Sequence, residues 1–276
     1  TLIDMEMQPA VLAMSLKKLT TLLEKHYGQK VVVLIDEYDV PLAKAYENNF
    51  YDKMVLLLRN LFGNVLKTNA SLAFAVLTGC LRIAKESIFT GLNNFTVYSI
   101  TDDEFDETFG FTSEEVQEML SYYGLSSHFE EVKEWYDGYR FGNTDVYCPW
   151  DVMNYLRDIQ EQPGKKTASY WKNTSDNAII RSFIDYAGNS ITNKLETLLA
   201  GGYIIQKIDE NLTYDYFHSS EDNLWSILYL TGYLTSVRET ELSAPLAERM
   251  TALVIPNAEI KEIFETTVSR WFDESA

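Results

Sequence analysis

The sequence predicts an α/β protein, in which a small parallel sheet with helices is followed by a mostly helical region. Apolar runs at 31–35 and 72–77 have the length of buried strands, and polar residues follow each run directly. Beyond about residue 110, apolar residues recur mainly at helical spacing. These observations place the sheet in the first part of the chain and most helices in the second part.

The first apolar run, Val31–Ile35, is the stretch around which the prediction is built. Four of its five residues are β-branched, which is typical of a strand buried on both faces in a parallel sheet. Asp36 and Glu37 follow at once. Because ligands of open α/β sheets bind at the carboxyl ends of the strands, both carboxylates are expected where a site would form.

The remaining elements follow from apolar spacing and from turn residues. Pro41 disfavours helix in the residue before it, so a loop is predicted at 39–41. Thr112 and Glu115 have the spacing of a capping box at a helix start. Helices are predicted at 8–27, about 49–68, 129–136, from 149 onward, 176–186, 190–200, 224–232 and 259–271; further strands are predicted at 95–100, 203–208, 233–237 and near 250–255, the last two as a hairpin.

Composition limits the classes of function. The chain has 276 residues, 46% of them hydrophobic, so it can bury a substantial core. Its net charge of −18 opposes non-specific nucleic-acid binding, which depends on neutralising phosphates with Lys and Arg. No apolar run approaches the roughly 20 residues of a membrane span, and no signal peptide is visible. We therefore expect a cytoplasmic protein without a membrane span, and the two cysteines and three scattered histidines predict neither a disulfide framework nor a zinc site.

A buried strand that ends in Asp-Glu matches the Walker B element of ATPases that use a catalytic glutamate. The Asp holds Mg²⁺, usually through water, because this hard cation keeps much of its hydration shell. The Glu can polarise the water that attacks the γ-phosphate. A buried strand that simply ends in two solvated acids is the alternative for Asp36 and Glu37.

Segments along nearly the whole chain favour the first of these alternatives. Together they resemble, in order, a bacterial family of predicted AAA-like ATPases, whose members often carry a PD-(D/E)xK nuclease-like domain after the ATPase. The segments are 34–42, 77–94, 109–112, 134–142, 170–174, 230–234 and 255–257. The resemblance implies a P-loop NTPase-type core that uses ATP and Mg²⁺.

The resemblance also implies roles for individual residues. Asp36 would hold Mg²⁺, Glu37 would activate water and help to bind the nucleotide, and Thr78, at the end of the neighbouring strand, would sense the γ-phosphate or the attacking water. A Thr that simply closes the strand is the alternative for Thr78. Arg82 would either stabilise phosphate charge or pair with Glu86 on a helix face. We expect an ATPase core at 1–108 and, at 109–276, a helical lid that ends in a winged-helix-like module.

One part of such an ATPase is missing from these 276 residues. No segment matches G-x-x-x-x-G-K-[ST], the loop that cradles phosphates. In the resembling family this loop lies upstream, and the nuclease-like domain would lie downstream of residue 276. Three possibilities remain. Either an upstream segment of the molecule carries this loop, or the chain is a fragment whose sheet is completed in another way, or the protein has lost nucleotide binding.

Several other features have a structural interpretation. The acidic run at 102–107 is expected to be a solvated surface, and Tyr136–Gly142 a turn in which Gly138 supplies positive φ. Glu131-Val-Lys133 and Glu259-Ile-Lys261 match half of a nuclease motif, but both fall on predicted helices, where its strand geometry fails. The alternative function is a catalytically inert scaffold that binds a protein or nucleic-acid partner through the helical region.

Overall fold

A computed structural model of the protein describes residues 8–80, 88–89, 91–171, 189–210 and 220–275. It confirms a mixed α/β fold with a small parallel sheet and many helices. The chain divides into two compact units. Unit 1 comprises Thr1–Val97 with Glu210–Phe217, and unit 2 comprises Tyr98–Asp209 with His218–Ala276. The expected functional division into an ATPase core and a lid at residue 108 stays a prediction.

Unit 1 begins with a helix and alternates helices with two strands. The first helix, Pro9–Tyr27, is capped by Gly28, whose left-handed conformation lets its N–H bond to the Glu24 carbonyl at 2.8 Å. The predicted loop at 39–41 is wrong, because Pro41 lies in the first turn of a helix, where no N–H is required. The elements are α1 (Pro9–Tyr27), β1 (Val31–Ile35), α2 (Val40–Glu47), α3 (Tyr51–Leu66) and β2 (Leu72–Leu77).

Strands β1 and β2 pair in parallel, and α1 and α3 cover one face of this sheet. The small side chains of Ala13 and Thr20 are buried on α1 and let it approach α3 closely. Asn69 donates to the Thr20 hydroxyl at 3.1 Å and to the Val65 carbonyl at 3.0 Å, which fixes the end of α3 against α1. The helices and this sheet face form the core of unit 1.

The other face of the sheet is bare. Val32 lies opposite Phe74 and Leu34 lies opposite Val76, and their exposed fractions are 54%, 60%, 74% and 37%. The predicted burial of β1 on both faces is therefore wrong for this face, since no described element covers it. We call these four residues the bare sheet face.

The third strand predicted at 95–100 is also wrong. These residues form no strand, although their side chains have the apolar character of one. Phe95 packs against Phe89 with ring centroids 5.3 Å apart, and Tyr98 packs edge-to-face on Phe105 at 4.9 Å. The Ile100 carbonyl accepts a hydrogen bond from the Gly142 N–H at 2.9 Å. The side chains of this segment therefore pack within loops, and the Ile100 carbonyl bonds to a loop residue instead of to a neighbouring strand.

Unit 2 is built mainly from helices. Thr112 and Glu115 form the predicted capping box, in which each side chain bonds the backbone N–H of the other residue. The predicted helix at 176–186 lies outside the described residues. The elements are α4 (Ser113–Tyr122), α5 (Phe129–Tyr136), β3 (Tyr139–Phe141), β4 (Thr144–Val146), α6 (Pro149–Glu161), α7 (Asn189–Leu199), β5 (Ile204–Lys207), α8 (Glu221–Leu230), β6 (Thr235–Ser236), β7 (Met250–Val254) and α9 (Ala258–Ser275).

The strands in the described part of unit 2 pair in the antiparallel direction. Strands β3 and β4 form a hairpin, and β7 lies between β5 and β6 in a three-stranded sheet. The predicted pairing between the strand after α8 and the strand near 250–255 is thereby confirmed. One buried cluster lies among α4, α5 and α6, and another joins α7, α8 and α9 to the three-stranded sheet. None of the helices in the described ranges has the length and apolar character that a membrane span requires.

Two glycines of unit 2 allow a matched test of this packing. Gly138 has φ 104°, and a Cβ there would lie 2.2 Å from the Pro256 carbonyl oxygen, whereas Gly124 has φ 72° and open space around it. We expect Gly138→Ala to lower the free energy of unfolding of unit 2 by about 3 kcal/mol or more. Gly124→Ala should cost only about 1 kcal/mol, the penalty of a left-handed alanine.

Urea unfolding followed by tryptophan fluorescence measures both variants, because all five tryptophans lie in unit 2. Equal losses for the two alanines would contradict the close approach of Gly138 to Pro256.

Candidate functional site

The candidate site lies at the carboxyl edge of the parallel sheet in unit 1. Ile35 and Leu77 are register partners at the ends of β1 and β2, so the residues after them emerge side by side. The Thr78 hydroxyl donates a hydrogen bond to Oδ1 of Asp36. The structure thus brings together two of the residues that the sequence singled out, from segments far apart in the chain.

Backbone hydrogen bonds hold the two turns together beyond the strands. The Thr78 N–H bonds the Ile35 carbonyl at 2.9 Å, and the Tyr38 N–H bonds the Thr78 carbonyl at 3.0 Å. Each turn is therefore fixed by the other, and the Asp36–Thr78 contact does not depend on side chains alone.

Asp36 is exposed and is oriented by its surroundings. Its Oδ1 accepts from the Glu37 N–H at 3.0 Å as well as from Thr78, while Oδ2 accepts from no residue in the described ranges. A carboxylate with one oxygen fixed by hydrogen bonds and the other available as a ligand suits a hard cation that retains water in its coordination shell. The geometry of Asp36 therefore fits the Mg²⁺ role expected from the sequence.

Glu37 has a left-handed backbone with φ 51°. This conformation costs a non-glycine residue on the order of 1 kcal/mol, and such strain is often found at functional sites. It turns the chain sharply from β1 towards α2, and the Glu37 carbonyl accepts from the Val40 N–H at 3.1 Å. The Glu37 side chain is exposed at the same edge as Asp36.

Asp39 lies two residues after Glu37, at the start of α2. It occupies the N-cap position of α2, yet its side chain makes no capping hydrogen bond. It is buried, with an exposed fraction of 3%, and a Cβ on Gly79 would lie 2.7 Å from its Oδ1. Asp39 therefore packs against the turn after β2, beside Gly79.

The neighbouring acids affect the protonation of Cys80. Desolvation by the surrounding protein and the negative charges of Asp39 and Glu37 raise the pKa of the Cys80 thiol. The thiol therefore stays protonated at neutral pH and is a poor nucleophile. Arg82 and Glu86, the other residues considered from the sequence, lie outside the described residues.

Features of unit 2 that could suggest other chemistry have structural roles. In the acidic run, Asp102 accepts from the Ser99 N–H at 2.7 Å, and Asp106 accepts from the Asn143 N–H at 3.1 Å. Both half-motifs of a nuclease lie on helices, α5 and α9, as predicted. No group of three or more His, Cys, Asp or Glu residues within the described ranges could hold a metal ion.

The segment 136–142 joins distant parts of unit 2. Its Asp137 carbonyl accepts from the Asn257 side chain at 3.0 Å, and the Tyr136 hydroxyl donates to the Ala168 carbonyl at 3.0 Å. Asn257 also accepts from the Ile260 N–H at 3.0 Å and thereby caps α9. These contacts favour the structural interpretation of the segment.

Two buried acids in this region were not identified from the sequence as a pair. Asp151 and Glu259 both have an exposed fraction of 0%. Asp151 follows Pro149 at the start of a predicted helix, which is a common position for a solvated acid. Only the three-dimensional structure shows that its neighbour is a second acid.

Comparison with known proteins supports the resemblance. A family model described as Predicted AAA-ATPase matches residues 3–89, so the resemblance found in the sequence is confirmed over those residues. A relative described as "Uncharacterized protein in vnfD 5'region", from Azotobacter chroococcum mcd 1, is 26% identical over 251 residues, which are 90% of this chain and 45% of the relative. The chain thus spans less than half the length of that relative. No solved structure matches the chain significantly.

Gly79 provides a test of the packing at the site. A Cβ there would lie 2.7 Å from the Tyr38 ring and from Asp39 Oδ1, so Gly79→Ala must displace both side chains. We expect local stability at the β1–β2 edge to fall by about 1–3 kcal/mol. Gly63→Ala is the matched control, because it lies in α3 with open space around it and should stabilise by up to about 1 kcal/mol.

Amide hydrogen exchange of peptides from β1 and β2 measures the difference. Unchanged protection in Gly79→Ala would show that Tyr38 and Asp39 do not pack against this turn as described.

Proposed function

We propose that this protein, whose residues 3–89 match the Predicted AAA-ATPase family, binds and hydrolyses ATP at the carboxyl edge of the parallel sheet in unit 1. The observation that supports the proposal most directly is the hydrogen bond from Thr78 to Asp36, which joins the ends of two neighbouring parallel strands at the edge where ligands of such sheets bind.

Each residue at this edge has a proposed role. Asp36 would hold Mg²⁺ through Oδ2 or a bound water, since Oδ1 is already engaged. Mg²⁺ bound there would neutralise developing charge on the phosphates. Glu37 would accept a proton from the attacking water, and Thr78 would orient that water or contact the γ-phosphate. Arg82 would contribute positive charge towards the phosphates.

The phosphates need a cradle that these 276 residues do not supply, because no G-x-x-x-x-G-K-[ST] segment is present. We propose that a further segment of the intact protein provides it and packs on the sheet. The bare sheet face supports this proposal, since strands of parallel sheets are normally covered on both faces.

Unit 2 would act as the lid of this ATPase. Its three-stranded antiparallel sheet and the helices packed on it are compatible with a winged-helix-like module, as proposed for residues 109–276. The acidic net charge of −18 makes a lid a better proposal than a DNA-binding module. A downstream nuclease-like domain, and a link to nucleic-acid processing or defence, remain expectations from the resemblance.

Glu37→Gln in the intact protein tests the catalytic proposal. Loss of a positioned general base should reduce the rate of ATP hydrolysis by about 10²–10⁴-fold, while ATP binding is retained. Glu47→Gln is the control, because Glu47 is an exposed acid of unit 1 that pairs only with Lys44 among the described residues, and it should leave the rate unchanged.

Phosphate release and the binding of a fluorescent ATP analogue are the two measurements. Equal hydrolysis by Glu37→Gln and the parent protein would remove Glu37 from catalysis. A parent protein that neither binds nor hydrolyses ATP would favour the alternative, an inert scaffold that binds a protein or nucleic-acid partner.

A further inference from the structure

A pair of buried acids joins the first turns of two helices in unit 2. Asp151 lies in the first turn of α6 and Glu259 in the first turn of α9, and both have an exposed fraction of 0%. Their carboxyl groups are close enough to interact electrostatically and to form a hydrogen bond when one of them carries a proton. The contact therefore connects two segments that are far apart in the sequence.

The hydrogen bonds around the pair account for only one of its four oxygens. Oε1 of Glu259 accepts from the Trp171 N–H at 2.8 Å. Both oxygens of Asp151 and Oε2 of Glu259 are buried without an N–H or O–H donor from other described groups. The thiol of Cys148, a weak donor, also interacts with Asp151. Two ionised carboxylates cannot hydrogen-bond each other, because each offers only acceptors. A single proton between them supplies the missing donor.

The surrounding titratable groups bring no compensating positive charge. Tyr136 on α5, Tyr139 on β3 and Cys148 before α6 are the side chains that interact with the pair. Burial raises the pKa of all three, to about 12 for Cys148, so they are neutral at neutral pH. Within the described ranges, the salt bridges involve other acids, such as Asp145 and Glu221.

The helix ends favour one negative charge on the pair but not two. Both acids lie at helix N-termini, where the partial positive charge of the helix stabilises an anion. A second buried negative charge at hydrogen-bonding distance would be strongly unfavourable. Accordingly, burial and the neighbouring Asp151 raise the pKa of Glu259 to about 8, and burial also raises the pKa of Asp151.

We propose that Asp151 and Glu259 share one proton in folded unit 2 and so form a pH-sensitive link between α6 and α9. This inference goes beyond the proposed ATPase function, because it concerns the stability of unit 2 and does not require ATP.

The sign of the pH dependence follows from proton linkage. In the unfolded chain both acids ionise near their ordinary values of about 4, whereas the folded pair keeps one proton up to about pH 8. Between these values the folded state binds one more proton, so its stability falls as the pH rises. The unfolding equilibrium constant of unit 2 should therefore increase roughly tenfold per pH unit between about pH 5 and pH 8.

Glu259→Gln provides the central test. Its amide oxygen can still accept from the Trp171 N–H, and its NH₂ group can donate to Asp151 without a titrating proton. We expect unit 2 to stay folded and the part of the pH dependence that comes from the pair to disappear. Asp151→Asn is a second variant with the same expected result. Glu265→Gln on the exposed side of α9 is the control, and it should keep the slope of the parent protein.

Urea unfolding at several pH values, followed by tryptophan fluorescence, isolates unit 2, since all five tryptophans lie there. Burial also raises the pKa of Asp137, but Asp137 is present in every variant, so differences in slope isolate the pair. Infrared spectroscopy of the parent protein at neutral pH should show a protonated carboxyl band that Glu259→Gln lacks.

Three results would overturn the proposal. The first is a slope in Glu259→Gln equal to that of the parent protein. The second is the absence of a protonated carboxyl band in the parent protein at neutral pH. The third is stabilisation of the parent protein by added Mg²⁺ or Ca²⁺ that is lost in Glu259→Gln, because a cation would then take the place of the proton.

Discussion

The parallel pairing of β1 with β2 is the contact on which the candidate site depends. Parallel strands end at the same edge, so this pairing alone brings Asp36 and Thr78 within hydrogen-bonding distance. The hydrogen bond from Tyr38 N–H to the Thr78 carbonyl extends the pairing past the strands. A shift of register would separate the two turns and change which face each side chain points to. The geometry of the site is thus a consequence of strand register.

Most helices and strands were predicted correctly, because apolar spacing and helix caps depend on residues that are close together in the sequence. Apolar spacing located α1, α3 and α5, and the Thr112–Glu115 capping box marked the start of α4. The errors arose where competing local rules apply. Pro41 is unfavourable inside a helix but well suited to its first turn, and only the turn at Glu37 shows that α2 begins there.

The residues of the site differ in how far sequence could identify them. Asp36 and Glu37 follow an apolar run, and Thr78 follows the neighbouring run, so strand ends were a sufficient signal. Asp39 carried no such signal, since its burial depends on Gly79 in the turn after β2. Likewise, the proximity of Asp151 to Glu259 is a tertiary contact between helix starts, and a first-turn acid is ordinarily explained by the helix dipole alone.

The bare sheet face connects the fold of unit 1 to its proposed function. A two-stranded sheet is at best marginally stable alone, and a parallel one normally has both faces covered. Here the residues of one face remain between 37% and 74% exposed. An ATPase core needs a phosphate-binding loop, which parallel-sheet proteins of this type place at the end of another strand of the same sheet. Under the proposed ATPase function, one added strand-and-helix segment would both cover this face and supply the contacts to the phosphates.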